Sequence, residues 1–264
     1  MAAPKSRAQL PHLPYPKMNV TRTINAHRAA AGGGTGLLTG LAAWWSLNET
    51  SGTRYDSHSN GLDLTDNNTV GSATGVVGNC ADFVATNSEY LSVADNAALD
   101  FTTAFSCSFW AKNNSASFTN YQTFIAKGAF PTNPYTIYQA AGPSTFRVLL
   151  NPPSGSLGVA DVPGWSGTDW VHVVVNYDGS GTTNADKVQI YFDTVQQTLG
   201  GLTQNIPSEL KTDSSVFMVG VNPFASNPYL NGKMDELALW SRTLTTDEIS
   251  DLYNAGSGIS YGDL

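Results

Sequence analysis

DWVHVVVNYDGSGTTNADKVQIYFDTVQQ, residues 169 to 197, decides how this chain is read. Its first half sets Trp170, His172, Val174 and Asn176 on one side of an extended backbone, with Val171, Val173, Val175 and Tyr177 on the other. The second half repeats the pattern with Val188, Ile190 and Phe192 against Gln189, Tyr191 and Asp193. Alternation of this kind marks half-buried strands, because successive side chains leave a strand on opposite faces. The polar DGSGTTNAD between them then joins two antiparallel strands as an exposed loop. A lone hairpin is marginal in water, so a larger sheet is expected around it.

Working outward, short runs of the same character follow one another from Leu41: LAAWWSL, LDLT, CADFV, EYLSV, AFSCSFWAK, YQTFIAK, YTIYQA, TFRVLL, VFMVGV and GKMDELALWS. Gly, Pro, Asn and Asp separate them, which is the layout of a β-sandwich or jelly roll. A chain of 264 residues with 13% charged residues suits one such domain, large enough to need no disulfide staple. Cys80 and Cys107 lack partners at metal-ligand spacing; two reduced, half-buried thiols is the simpler reading, and sequence leaves a disulfide between them open. The single convincing helix is LTTDEISDLYNAG. Thr245 or Thr246 caps it, Asp247 and Glu248 lie in its first turn, Gly256 stops it, and Leu244, Ile249, Leu252 and Tyr253 form its buried side.

Charge is unevenly placed. The net charge is −8, yet the first 48 residues hold five Lys or Arg and no Asp or Glu, leaving −13 for the remainder. Residues 1–40 read as an extended arm and 41–264 as the folded domain. PHLPYP, from Pro11 to Pro16, favours a polyproline-like path, and Gly32 to Gly34 with Gly36 form a joint. The arm is neither clustered enough in bases for nucleic acid nor followed by the apolar stretch of about 7 to 15 residues that a secretory signal carries. No run is long enough to cross a bilayer, so no membrane partner is expected. A tether on a protein assembly fits best: Lys5, Arg7, Lys17, Arg22 and Arg28 supply charge, while Leu10, Leu13 and Tyr15 supply apolar anchors.

Several motifs in order carry a family resemblance: AWWSLNETSGTRYDSHSNGLDLT, CADF, EYLSV, FSCSFW, the Trp-x-His-Val and Tyr-Asp-Gly hairpin, and GKMDELALWSRTLTTDEISDLYNAG. Together, from Leu41 to about Gly258, they resemble the laminin-G-like branch of the concanavalin A-like jelly-roll superfamily. The resemblance implies an all-β, concanavalin A-like (laminin-G-like) jelly-roll sandwich of two antiparallel sheets, here with an extended N-terminal arm and one short C-terminal helix. The arm lies outside that match. Its layout is similar to tailed-phage virion structural proteins, such as those that decorate capsids.

Relatives with this fold include glucanases that align carboxylates at i, i+2 and i+4 of one strand. No such run occurs here, and Asp235 and Glu236, being adjacent, are expected on opposite faces of their strand. Catalysis is not expected. His172 is read as a packed, hydrogen-bonded residue, and Trp44, Trp45, Trp110, Trp165 and Trp170 as core or half-core. Relatives often bind a structural calcium ion near the early Asp-Ser loop, which by position implies Asp56, Asn60 and Asp235. His58 stands where that loop usually has a small residue, and the alternative is that Asp56 and Asn60 only form turns.

The leading expectation is therefore a non-enzymatic virion structural protein that requires no cofactor. It would display its jelly roll on a particle surface, dock on other virion proteins through the arm, and associate with further copies of itself. The alternative is an extracellular carbohydrate-binding or adhesion module, for which Tyr121, Phe130, Tyr135, Phe224 and Tyr229 offer aromatic faces in loop-like contexts.

Overall fold

The computed structural model describes residues 36–115, 121–140, 144–200, 205–223 and 229–264. Its strands, in chain order, are β1 (Leu41–Trp45), β2 (Thr65–Asn67), β3 (Gly71–Thr74), β4 (Asn79–Phe83), β5 (Tyr90–Val93), β6 (Ala104–Asn113), β7 (Gln122–Lys127), β8 (Tyr135–Ala140), β9 (Thr145–Leu150), β10 (Gly158–Pro163), β11 (Val171–Asp178), β12 (Val188–Phe192), β13 (Val195–Gln196), β14 (Phe217–Val219) and β15 (Gly232–Trp240). They form two antiparallel sheets. The first has eight strands, ordered β13-β12-β11-β6-β15-β4-β3 with β1 also on β15, and the second has seven, ordered β10-β9-β8-β7-β14-β5-β2.

The hairpin of residues 169–197 is β11 and β12, paired from Tyr177↔Val188 to Val173↔Phe192. Its loop holds a one-turn helix, α1 (Asn184–Lys187), set by a capping box between Thr183 and Asp186. Alternation then builds the core. Val173, Val175 and Tyr177 of β11 face inward beside Phe105, Cys107 and Phe109 of β6 and meet Phe124, Ile137 and Phe146 from the second sheet. Phe109 and Phe124 touch across the gap with centroids 5.4 Å apart, and Trp45 stacks on Phe217 at 5.5 Å. Both cysteines are buried and unbonded.

The first sheet also buries its outer face. The C-terminal helix α2 (Thr246–Tyr253) begins at Thr245, whose side chain forms a capping box with Glu248. It stops at Asn254 in the left-handed conformation rather than at Gly256. An Asn accepts that backbone readily, which is why the stop falls early. Ile249 and Leu252 press onto Val174, Tyr191, Trp44 and Trp240 of the sheet.

Leu37 joins this layer. Residues 36–40, read as the end of the arm, pack here: Trp240 Nε1 donates to the Leu37 carbonyl at 2.6 Å, and Arg242 donates to the carbonyls of Gly36 and Thr39 at 2.7 Å each while gripping Glu248. The remainder of the arm, with Lys5, Arg7, Leu10, Leu13, Tyr15, Lys17, Arg22 and Arg28, lies outside the described residues.

Three strands escape the sequence pattern. β3 (GSAT), β10 (GVADVP) and β13 (VQ) are edge strands; the Gly, Ala and Pro content of the first two gives little β signal, and two residues are too few for β13 to show a pattern. LDLT, read as a strand, mostly precedes β2, which starts at Thr65.

Candidate functional site

The outer face of the second sheet carries a groove, built by register. Thr123 of β7, Tyr138 of β8, Arg147 of β9 and Asp161 of β10 are successive cross-strand partners, and so are Thr136, Leu149 and Val159 in the next row. Their chain neighbours Phe124, Ile137, Phe146, Val148 and Ala160 point into the core, so alternation sends these two rows outward. Tyr138, Leu149 and Val159 make the floor, Tyr121, Phe130 and Leu157 the sides, and Asn222 a polar corner, enclosing about 280 Å³. Tyr121 leans on Tyr138 with centroids 5.7 Å apart and planes at 60°.

The polar part is fixed. Arg147 donates through Nε to Asp161 Oδ1 at 2.6 Å and through Nη2 to Oδ2 at 2.6 Å. The guanidinium is also hydrogen-bonded to the Tyr138 hydroxyl, whose own pKa burial pushes up. The Asp161 bonds hold Arg147 above its ordinary range, so the guanidinium stays charged. Asn222 accepts from the Phe130 amide at 3.2 Å, which ties the corner to the side wall.

A different polar cluster lies under the C-terminal layer. Between Asp235 and Ala238 the β15–β6 register slips by a bulge, and Glu236 has φ of +48°. Adjacent carboxylates would leave a regular strand on opposite faces, but here Met234 and Leu237 both enter the core, and the extra residue puts Asp235 and Glu236 on the outer side together. Asp235 accepts from the Val76 and Val77 amides at 2.7 and 2.9 Å, and Glu236 accepts from Trp44 Nε1. Burial pushes Asp235 up to about 6 against those amides. Burial also drives Glu236 up to about 9, opposed by the Trp44 bond and reinforced by the charges of Asp235 and Asp263.

The residues read as a calcium set serve separate tasks. Asp56 accepts from the amides of Trp44, His58 and Leu62 at 3.0, 2.9 and 3.0 Å, and Asn60 donates to the Ala42 carbonyl at 2.7 Å. Both hold the early loop on β1, whereas Asp235 holds the β3–β4 turn. Among the described residues no three His, Cys, Asp or Glu gather as a metal cage. The contacts of Asp56 and Asn60 are those of turn formation, the alternative reading of this loop.

His172 is packed: its Nε2 lies 2.8 Å from Ser108 Oγ, its ring meets Trp110 at 5.1 Å, and burial lowers its pKa to about 3. Trp44, Trp45, Trp110 and Trp165 are buried. Of the aromatics considered as glycan faces, Tyr121 and Phe130 line the groove. Tyr135 is a core residue whose hydroxyl donates to the Leu99 carbonyl at 3.1 Å, Tyr229 leans on Tyr90, and Phe224 lies outside the described residues. Tyr138 and Arg147 escaped the sequence reading, although an arginine inside the apolar run TFRVLL was a signal that one side of that strand is not core.

Residues 85–250 match a family model described as the concanavalin A-like lectin/glucanases superfamily. No curated protein matches the chain. Among solved structures it is similar to the binding domain of Paraclostridial Mosquitocidal Protein 1, at 12% identity and TM-score 0.63, over 83% of this chain and 53% of that one. It is similar to domain 4 of AbnA, a GH43 extracellular arabinanase from Geobacillus stearothermophilus solved with arabinotriose, at 20% identity and TM-score 0.57, over 80% and 97%. A structure of botulinum neurotoxin type C, whose cell entry depends on interaction with two ganglioside molecules, aligns at 13% identity and TM-score 0.64, over 84% and 52%. The chain thus spans about half the length of the mosquitocidal and botulinum chains, and these likenesses carry the fold. With the sandwich in place and the family model covering most of it, the chain belongs to the concanavalin A-like lectin/glucanases superfamily.

Proposed function

We propose that this domain is a carbohydrate-binding adhesion module and that the groove on the seven-stranded sheet is its binding surface. The observation that carries the reading is the cross-strand row Thr123–Tyr138–Arg147–Asp161 beside Tyr121. A sugar ring presents an apolar C–H face and a rim of hydroxyls. Tyrosine rings take the first, and the fixed guanidinium, the Asn222 amide and the Thr123 hydroxyl take the second. Because Thr123, Tyr138 and Arg147 stand on strands, they are ordered before binding, which lowers the entropic cost of association. The arabinotriose of the arabinanase domain and the gangliosides of the neurotoxin support a glycan as ligand. The module binds without catalysis in this reading, since Asp161, the carboxylate beside the groove, is committed to Arg147.

A glycan array followed by calorimetry tests this. Wild type should bind at least one oligosaccharide, and Tyr138→Ala should weaken that binding by about tenfold or more, the loss expected when a stacked ring is removed. A wild-type protein that binds no glycan on the array ends the proposal.

The arm supports a second, compatible reading. Its basic, proline-spaced composition suits a tether that displays the domain on a protein assembly such as a virion. Removing residues 1–35, which leaves Leu37 in place, should preserve folding and abolish incorporation into particles. Normal incorporation of the shortened chain would eliminate this reading.

A further inference from the structure

We infer that Asp161 makes the groove selective for uncharged glycans, acting as an internal carboxylate that occupies the arginine an acidic sugar would need. The inference rests on the glycan reading of the same groove and concerns which glycans enter it.

Arg147 is the only charged residue lining the groove among the described residues. A sialic acid, uronic acid or sulfated sugar is held best through two parallel N–H bonds from one edge of a guanidinium. The Nε–Nη2 edge is taken, both atoms donating to Asp161 at 2.6 Å, and the guanidinium is bonded to the Tyr138 hydroxyl as well. The pair is built into the strands, because Arg147 and Asp161 are direct β9–β10 partners. Its side chains are 30% and 14% exposed, so a ligand carboxylate would have to expel a half-sheltered Asp161 and leave it unpaired.

Among the described residues no second cation lines the groove, and the chain's net charge of −8 opposes an anionic ligand further. What remains to a ligand is a neutral surface: tyrosine rings, Leu149, Val159, and the polar groups of Thr123 and Asn222. An uncharged oligosaccharide matches it.

The test pairs neutral oligosaccharides with versions of the same core bearing sialic or uronic acid, on an array and by calorimetry, for wild type and Asp161→Asn. Wild type should prefer the neutral member by about tenfold or more. The nearly isosteric Asn keeps the side-chain volume and frees the guanidinium, so the variant should gain about tenfold for acidic glycans, and that gain should fade with added salt. Preference of wild type for the acidic member would overturn the inference while leaving glycan binding intact, and so would unchanged selectivity in the variant. Absence of any glycan binding would overturn both readings. The wild-type comparison decides by itself if the variant does not fold.

Discussion

The two sheets obey the same alternation but end with opposite outer faces. On the eight-stranded sheet, the outward residues Trp44, Trp110, Val174 and Trp240 lie under α2 and the last turns of the chain. Each aromatic there has a cover: Trp240 bonds the Leu37 carbonyl, Trp110 stacks on Tyr253 at 5.7 Å, and Trp44 meets Tyr261 at 6.2 Å. On the seven-stranded sheet, the outward Tyr138 faces a groove, with no covering segment among the described residues. An aromatic side chain on an outer strand face is therefore not in itself a sign of binding. What separates core from site is whether the chain supplies its own partner for that face.

This contrast breaks most directly at Trp240 and Tyr138. Trp240 is fully buried, so Trp240→Ala should remove about 3–5 kcal/mol of stability through lost burial and the cavity left behind. Tyr138→Ala removes a ring that is 9% exposed and packs on Tyr121, but one side of it borders the groove, so the loss should be smaller, about 1–3 kcal/mol, with a further effect on ligand binding. Denaturant unfolding of both variants measures the difference. Equal losses would mean that the second face is as much a structural layer as the first.

How much of this could be read beforehand divides along the same line. The hairpin, the sandwich and the capped helix follow from local patterns: alternation at Val173, Val175 and Tyr177, and Thr245 three residues before Glu248. The groove does not. Tyr138 and Arg147 sit in the mostly apolar runs YTIYQA and TFRVLL, and they become one surface only when β8 and β9 pair at that register. Register is a long-range property, and a one-residue slip would send both side chains inward. The bulge at Glu236 was half legible, because Met234 and Leu237 stand three apart where a regular strand needs an even spacing. The contacts of Asp56 and Asn60 needed the structure, since the same side chains could serve a cation or a turn.

The two faces differ in their acids as well: the covered face buries Asp235 and Glu236, whereas the open face pairs Asp161 with Arg147. The folded-state pKa of Glu236 is raised to about 9, so between the ordinary carboxylate range and that value the folded chain keeps a proton that the unfolded chain has released. Stability from this residue is therefore fully present at low pH and falls as pH rises toward about 9. Asp235 adds a fall of the same sign that ends near about 6. Glu236→Gln retains an oxygen to accept from Trp44 Nε1 but has no charge to bury. The variant should be more stable than wild type at pH 8 by about 1–2 kcal/mol, or roughly 2–8 °C in Tm. Its Tm should decline less steeply than that of wild type above pH 6, because the Glu236 part of the dependence is gone and the Asp235 part has ended by then. Parallel Tm profiles from pH 5 to 9 would show that Glu236 does not carry the buried charge, and the covered face would then have to be explained without it.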